Sequence, residues 1–468
     1  MPGQAIVENA AQTLTVSGLI DQRPLGRFQV WIVALCGLVL VLDGFDAQTI
    51  TFLAPSIAES NHIPIHSFGP IFSASLVGLM IAAMATGPVA DRWGRKWPVV
   101  FSTLSFAIFS LFTARASSFN ELLLLRFFTG LGLGGAMPNV VALASEYVPR
   151  RLLSVVVTVL FTGMPLGGVV CGFLSSMLIM TWGWRWVFYI GGVVPIAIAL
   201  LLIALLPESV RFLAGRGKNS RRAEKILSRV APELRMASIN FRAPSSEQQH
   251  TGVAVKYLFT EGRAAGTVLL WFPYFMNLLL IYFIGSWLPA MLKEAGMAGS
   301  AAVTVSTFFS LGGALACLLE GQLMNRCGAR TTLLIEYAVA SLFVSALAVI
   351  PRSFALVTTV TFISGFVVIG AQSGLNALAA RFYPTSIRST GVGWALGIGR
   401  LGSIVGPLLG GALLLAGWRP EQMLLSGAIF AVCAWLSIWL SNRVGGRATA
   451  YASDTELASV ELDEVIRL

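Results

Sequence analysis

Two acidic side chains three residues apart, Asp43 and Asp46, stand in an apolar run that begins near residue 28. On a helix such a spacing puts the carboxyls about 60° apart, on one face. Each would cost about 2.5–3.5 kcal/mol at the centre of a bilayer, so the pair implies water, a partner or a function. Low dielectric and mutual repulsion both favour a protonated carboxyl here, and the chemistry that follows is proton loading and release. The competing reading is a pair of salt bridges that only fixes helix packing. Arg126 and Arg400 are the only basic residues well inside apolar runs. A guanidinium stays charged and grips carboxylates bidentately, so either could be the counter-ion of an organic anion or the partner of an Asp. Phe45, Tyr282, Trp287 and Trp394 are candidates to stack on a ring, although aromatics form 10% of the chain and most must face lipid. Gln372 and Asn376, four apart, share a helix face. Such amides either bridge helices or hold a hydroxyl of the bound molecule.

The elements that must position these groups follow from composition. Of 468 residues 56% are apolar and 12% charged, about half the charge of a soluble protein. Apolar runs of about 20 residues, each able to cross ~30 Å of hydrocarbon as a helix, recur at 28–54, 67–90, 97–115, 119–146, 152–179 and 184–206, then at 264–292, 301–324, 331–351, 354–380, 389–416 and 422–442. Strand-like alternation is absent, so a barrel is excluded. The predicted fold is all-α and integral to the lipid bilayer: twelve transmembrane helices in two six-helix bundles. A soluble enzyme, a disulfide scaffold and a coiled coil are excluded. The net charge of +10 lies between spans and makes no basic stripe, which argues against nucleic acid. The five cysteines have neither the spacing nor the setting of a disulfide or metal set. His62 and His66 are separated by Pro64 and lack companions, so no metal is expected. Neither a P-loop nor a nucleophile–base set occurs, and no cofactor is implied. The polar segment before Phe28 lacks the order of a cleavable signal peptide, which leaves the first span as the insertion signal.

Twelve spans put both termini on one side. That side holds twenty-five Lys and Arg against five opposite, so the positive-inside rule places both termini in the cytoplasm of an inner-membrane protein. The expected organisation is an N-terminal tail (1–27), a six-helix half (28–206), a central loop (207–263) with the basic cluster Arg221, Arg222, Lys225 and Arg229, a second half (264–442) and a C-terminal tail (443–468). The halves repeat. Gly87, Asp91, Arg92, Gly94 and Lys96 recur, at one constant offset, as Gly321, Asn325, Arg326, Gly328 and Arg330. Pro149 recurs as Pro384 at an offset larger by a single position. Two parallel repeats imply a path between two bundles. A second charged set, Asp91, Glu146, Arg150, Glu320, Arg326, Glu336, Arg381 and Arg388, falls at the predicted cytoplasmic ends. Ion pairs between the halves there would gate the path, or else only anchor the helices to the interface.

The sequence Gly-x-x-x-Asp-Arg-x-Gly-Arg-Lys, complete at Gly87, Asp91, Arg92, Gly94, Arg95 and Lys96, resembles the loop motif of the major facilitator superfamily. Gly87 should let helices approach, Asp91 should cap a neighbouring helix, and Gly94 should turn the chain. Arg126 with Gly130, Gly132 and Gly134 is similar to the superfamily's second motif, and the resemblance covers 28–442. Within it, Asp43-Gly44-Phe45-Asp46, the segment Tyr282–Pro289 with Trp287, and the junction from Tyr383 to Trp394 resemble the aromatic acid:proton symporters. Asn325 departs from that family, which keeps an Asp there. The resemblance implies an importer of benzoate-, hydroxybenzoate-, gallate- or phenylpropionate-type acids for aromatic catabolism. From the residues themselves a monomer is expected, with Asp43 and Asp46 for protons, Arg126 and Arg400 for the anion, and Trp394 and Tyr282 for the ring. An efflux antiporter of the same fold, a carrier of a non-aromatic acid such as muconate, and a sensor remain open.

Overall fold

In hydrocarbon every backbone amide must be satisfied within its own segment, and the apolar runs form helices for that reason. The computed structural model describes residues 20–21, 24–215, 226, 229, 255–260, 262–351, 353–384 and 387–441. Most of the expected tails, and of the central loop with Arg221, Arg222 and Lys225, lie outside the described residues. The helices are α1 (Arg27–Asn61), α2 (Phe68–Trp93), α3 (Lys96–Thr113), α4 (Phe119–Tyr147), α5 (Arg150–Thr181) and α6 (Arg185–Leu205). They continue as α7 (Ala264–Glu294), α8 (Gly299–Cys327), α9 (Ala329–Val349), α10 (Phe354–Phe382), α11 (Arg388–Leu415) and α12 (Pro420–Ser441). All twelve are long and apolar enough to cross a membrane. This is a multi-pass membrane protein.

The expected ends hold to within a few residues except at α1, which runs on past position 54 to Asn61. Pro55 reads as a breaker, yet it lies inside the helix. It removes one amide donor, and Ile57 and Ala58 beyond it are still buried, so packing carries the helix on.

The chain divides into two compact units, Met1–Ile50 with Ala74–Gln249, and Thr51–Ser73 with His250–Leu468. In the first, α2 and α4 cross so closely that a Cβ on Gly78 would overlap the Phe127 carbonyl, and one on Gly130 the Ser75 carbonyl. In the second, Gly312 and Gly365 do the same between α8 and α10, against Phe362 and Phe309. Gly312 is the counterpart of Gly78 at the offset of the loop motif, and Gly365 that of Gly130 at the offset of the two prolines. The repeat therefore extends to backbone contacts. Gly94 and Gly328, at equivalent turns, both have positive φ, +88° and +80°, which an L side chain rarely tolerates.

Candidate functional site

In the first unit α1, α3, α4 and α6 converge on one ion pair. The Arg126 guanidinium contacts Asp46 through Nη1 and Oδ2 at 3.3 Å, with both side chains 1% exposed. Its Nη2 donates to Thr113 Oγ1 at 3.0 Å, and it lies over the Phe188 ring, 5.3 Å from the centroid. Asp46 Oδ1 and Arg126 Nε have no hydrogen-bond partner among the described residues. Asp43 is buried one turn earlier, at 1% exposure. Gly44 sets the depth of this helix, because a Cβ there would overlap the Met164 carbonyl of α5. Phe45 is buried against Gly191 of α6. Thr113 and Phe188 escaped the sequence reading, since a hydroxyl and a ring inside apolar spans carry no distinguishing signal.

The second unit holds a polar ladder between α7 and α10. Tyr274 donates its hydroxyl to Asn376 Oδ1 at 2.9 Å, and Asn277 donates from Nδ2 to Gln372 Oε1 at 3.0 Å. Both amides expected from sequence therefore bridge helices. Asn277 is fully buried, and its Oδ1 has no partner among the described residues. It is the counterpart of Asp43 in the repeat, at the same offset as the loop motif. Its departure from apolar neighbours was a signal that the sequence reading passed over.

Arg400 lies on α11 at the level of this ladder, since a Cβ on the preceding Gly399 would sit 3.2 Å from the Tyr274 carbonyl. It is half-buried. Among the described residues no carboxylate or hydrogen bond engages its guanidinium. The two arginines inside the spans thus differ: Arg126 is matched to Asp46, and Arg400 is unmatched.

The ring candidates separate as well. Trp287 is fully buried, donates Nε1 to the Pro407 carbonyl at 3.0 Å and meets Phe72 edge-on, so α7–α11 packing occupies it. Trp394 is 44% exposed and stacks on Trp271, centroids 6.0 Å apart. Tyr282 is half-buried on α7.

Around the loop motif one expectation needs correction within the first unit. A Cβ on Gly87 would meet nothing within 4 Å, so no described helix of its unit approaches it. The cap on α3 comes from Glu208: its Oε1 accepts from the Arg95 and Lys96 amides at 2.8 and 3.1 Å, where a free helix N-terminus favours an anion. Asp91 is exposed, as is Arg92. Arg95 pairs with Glu146 at 3.4 Å, and Glu146 also accepts from the Ser209 hydroxyl. Arg150 pairs with Asp21 at 3.4 Å. Arg388 donates Nε to the Tyr383 carbonyl at 3.3 Å, while Arg326 and Arg381 are exposed. Glu320 and Glu336, expected among ion pairs at the helix ends, are 2% and 4% exposed inside the second unit. Burial there removes both from any surface ion pair.

Residues 36–396 and 270–460 match the family described as Major Facilitator Superfamily. The chain belongs to that superfamily. Among its relatives the 4-hydroxybenzoate transporter PcaK of Pseudomonas putida is 39% identical over 436 residues, which cover 93% of this chain and 97% of the relative. A gallate transporter of Pseudomonas putida is 38% identical, with the same coverage of 93% and 97%. In fold, the chain is similar to the crystal structure of a bacterial homolog to the human lysosomal transporter Spinster. The TM-score is 0.68 at 16% identity, over 91% of this chain and 99% of that one. Major Facilitator proteins carry solutes and perform no covalent chemistry, so this chain is a transporter and not an enzyme.

Proposed function

We propose that this protein imports a small aromatic carboxylate with one or more protons across the inner membrane, both termini lying in the cytoplasm. The observation that carries the reading is the difference between the two arginines. Arg126 has its carboxylate in Asp46, whereas Arg400, level with the Tyr274–Asn376 and Asn277–Gln372 bridges, has none among the described residues. A half-buried guanidinium without a counter-ion among the described residues suits a substrate carboxylate, and the NH2 groups of Gln372 and Asn376, whose oxygens alone are used in the helix bridges, suit a ring hydroxyl. The similarity to a 4-hydroxybenzoate and a gallate transporter supports the same ligand class. The excess of Lys and Arg on the side of the termini supports the orientation.

In the proposed cycle a proton reaches Asp43 or Asp46, the anion pairs with Arg400, and the halves 28–206 and 264–442 rock. Deprotonation on the cytoplasmic side then releases the acid. The exposed Asp91, Arg92 and Arg326 act at the gate. Tyr282 is the side chain proposed to face the ring. Radiolabelled 4-hydroxybenzoate in proteoliposomes tests this. Acid outside should drive accumulation, Asp43→Asn should abolish it, and Arg400→Gln should weaken substrate binding by about 10–150-fold, the loss of one charged hydrogen bond of about 1.5–3 kcal/mol. Accumulation driven only by an acidic interior would reverse the direction and refute import.

A further inference from the structure

Two acids outside the site described above meet inside the second unit. Glu320 on α8 and Glu336 on α9 are each more than nine-tenths buried. Their carboxyls lie within hydrogen-bonding reach of one another. As carboxylates both would be acceptors only, and then none of their four oxygens has a donor among the described residues. Nor does a Lys, Arg or His form an ion pair with either among the described residues. One proton between them changes that, because a protonated carboxyl donates to its neighbour.

Among the described residues the surroundings offer no other compensation. From α10 the backbone of Gly370 and Gly374 lies against the carboxyl oxygens, which sit 3.0–3.2 Å from where a Cβ would be. From α9 comes the Tyr337 hydroxyl, fully buried and itself without a partner among the described residues, within electrostatic range of both acids. From α8 comes Cys317, within electrostatic range of Glu320. From α7 comes Tyr274, whose hydroxyl is taken by Asn376. From α12 Ala434 and Ile438 add only apolar surface to the same cluster.

The repeat removes the explanation that packing demands these acids. At the offsets that relate the two halves, Glu320, Glu336 and Gly370 correspond to Thr86, Ser102 and Gly135. In the first unit a Cβ on Gly135 would meet the Ser102 hydroxyl and the Thr86 methyl, so the same three-helix corner is built there with neutral side chains. Two carboxyls in the second copy carry an insertion cost of about 2.5–3.5 kcal/mol each if charged.

We propose that Glu320 and Glu336 form a proton-binding site in the second unit, separate from Asp43 and Asp46, in which the two carboxyls share one proton. Two carboxyls provide too few oxygens for a hard metal cation, which takes six or more, so the ligand is the proton itself.

Infrared spectra of purified protein in H2O and D2O at neutral pH test the site directly, without any need for transport. The difference between wild type and Glu320→Gln/Glu336→Gln should contain one carbonyl band of a protonated carboxylic acid that moves to lower frequency in D2O. A second variant, Glu320→Thr/Glu336→Ser, copies the neutral corner of the first unit and should lose the same band while eluting as a folded species. Absence of the band from the wild type, or its persistence in both variants, would overturn the proposal. So would thermal stabilisation by NaCl over choline chloride that is lost in the Gln variant. Because this readout requires no substrate, it can fail or succeed independently of the import reading.

Discussion

The contrast between Arg126 and Arg400 gives a double prediction. Replacing Arg126 by Met leaves the Asp46 carboxylate at 1% exposure with its cation gone. Breaking a buried pair by removing one partner costs about 3–5 kcal/mol. At about 2–4 °C per kcal/mol, the unfolding midpoint should fall by about 6–20 °C. Arg400→Gln removes a guanidinium that no described carboxylate engages, so its effect should stay near 0.5 kcal/mol, under about 2 °C. Substrate affinity should respond in the opposite order, with Arg400→Gln weakening it most. The Asp46→Leu/Arg126→Met protein closes the cycle. It leaves neither member of the pair buried alone, and apolar replacement of a buried ion pair is commonly neutral or stabilising by about 1–4 kcal/mol, so stability should return while proton-driven uptake does not. The assay is thermal unfolding of the detergent-solubilised variants by tryptophan fluorescence, with uptake measured in parallel. Equal stability loss in Arg126→Met and Arg400→Gln, or a double variant no more stable than Arg126→Met, would refute the assignment of one arginine to the fold and the other to the anion.

Two further outcomes are expected. Gly44→Ala forces a methyl into the Met164 carbonyl, and because every atom it meets there is backbone the helices must separate; overpacking of this kind costs about 1–3 kcal/mol, read as a lower midpoint and lower yield of folded protein. Glu208→Ala strips the α3 cap from the Arg95 and Lys96 amides and should cost about 0.5–2 kcal/mol, whereas Asp91→Asn, at an exposed site, should leave stability unchanged and slow uptake; a stability loss from Asp91→Asn larger than that from Glu208→Ala would reverse the cap assignment.

Much of the architecture was legible in the chain alone. Span positions follow from the length of apolar runs, and the turns at Gly94 and Gly328 follow from a repeated motif with glycine in the same place. The candidate residues were legible too, because a carboxyl, guanidinium or amide in an apolar run is conspicuous by its cost. Their partners were not. Asp46 and Arg126 are 80 residues apart, and the Glu208 cap lies 113 residues from the amide of Arg95. Glu320 and Glu336 belong to separate helices, and both read as end-of-helix charges.

By itself the sequence determined the twelve helices, the internal repeat, the excess of cations on one side and the superfamily, since each depends on local composition or on order along the chain. Only the tertiary structure decided that, among the described residues, Arg126 is matched while Arg400 is not, that Glu208 caps α3, and that two buried acids face one another. Helical periodicity tells which side chains share a face. Which face meets which neighbour, and at what depth, is set by backbone approaches such as Gly44 on Met164, and these exist only once the helices are packed.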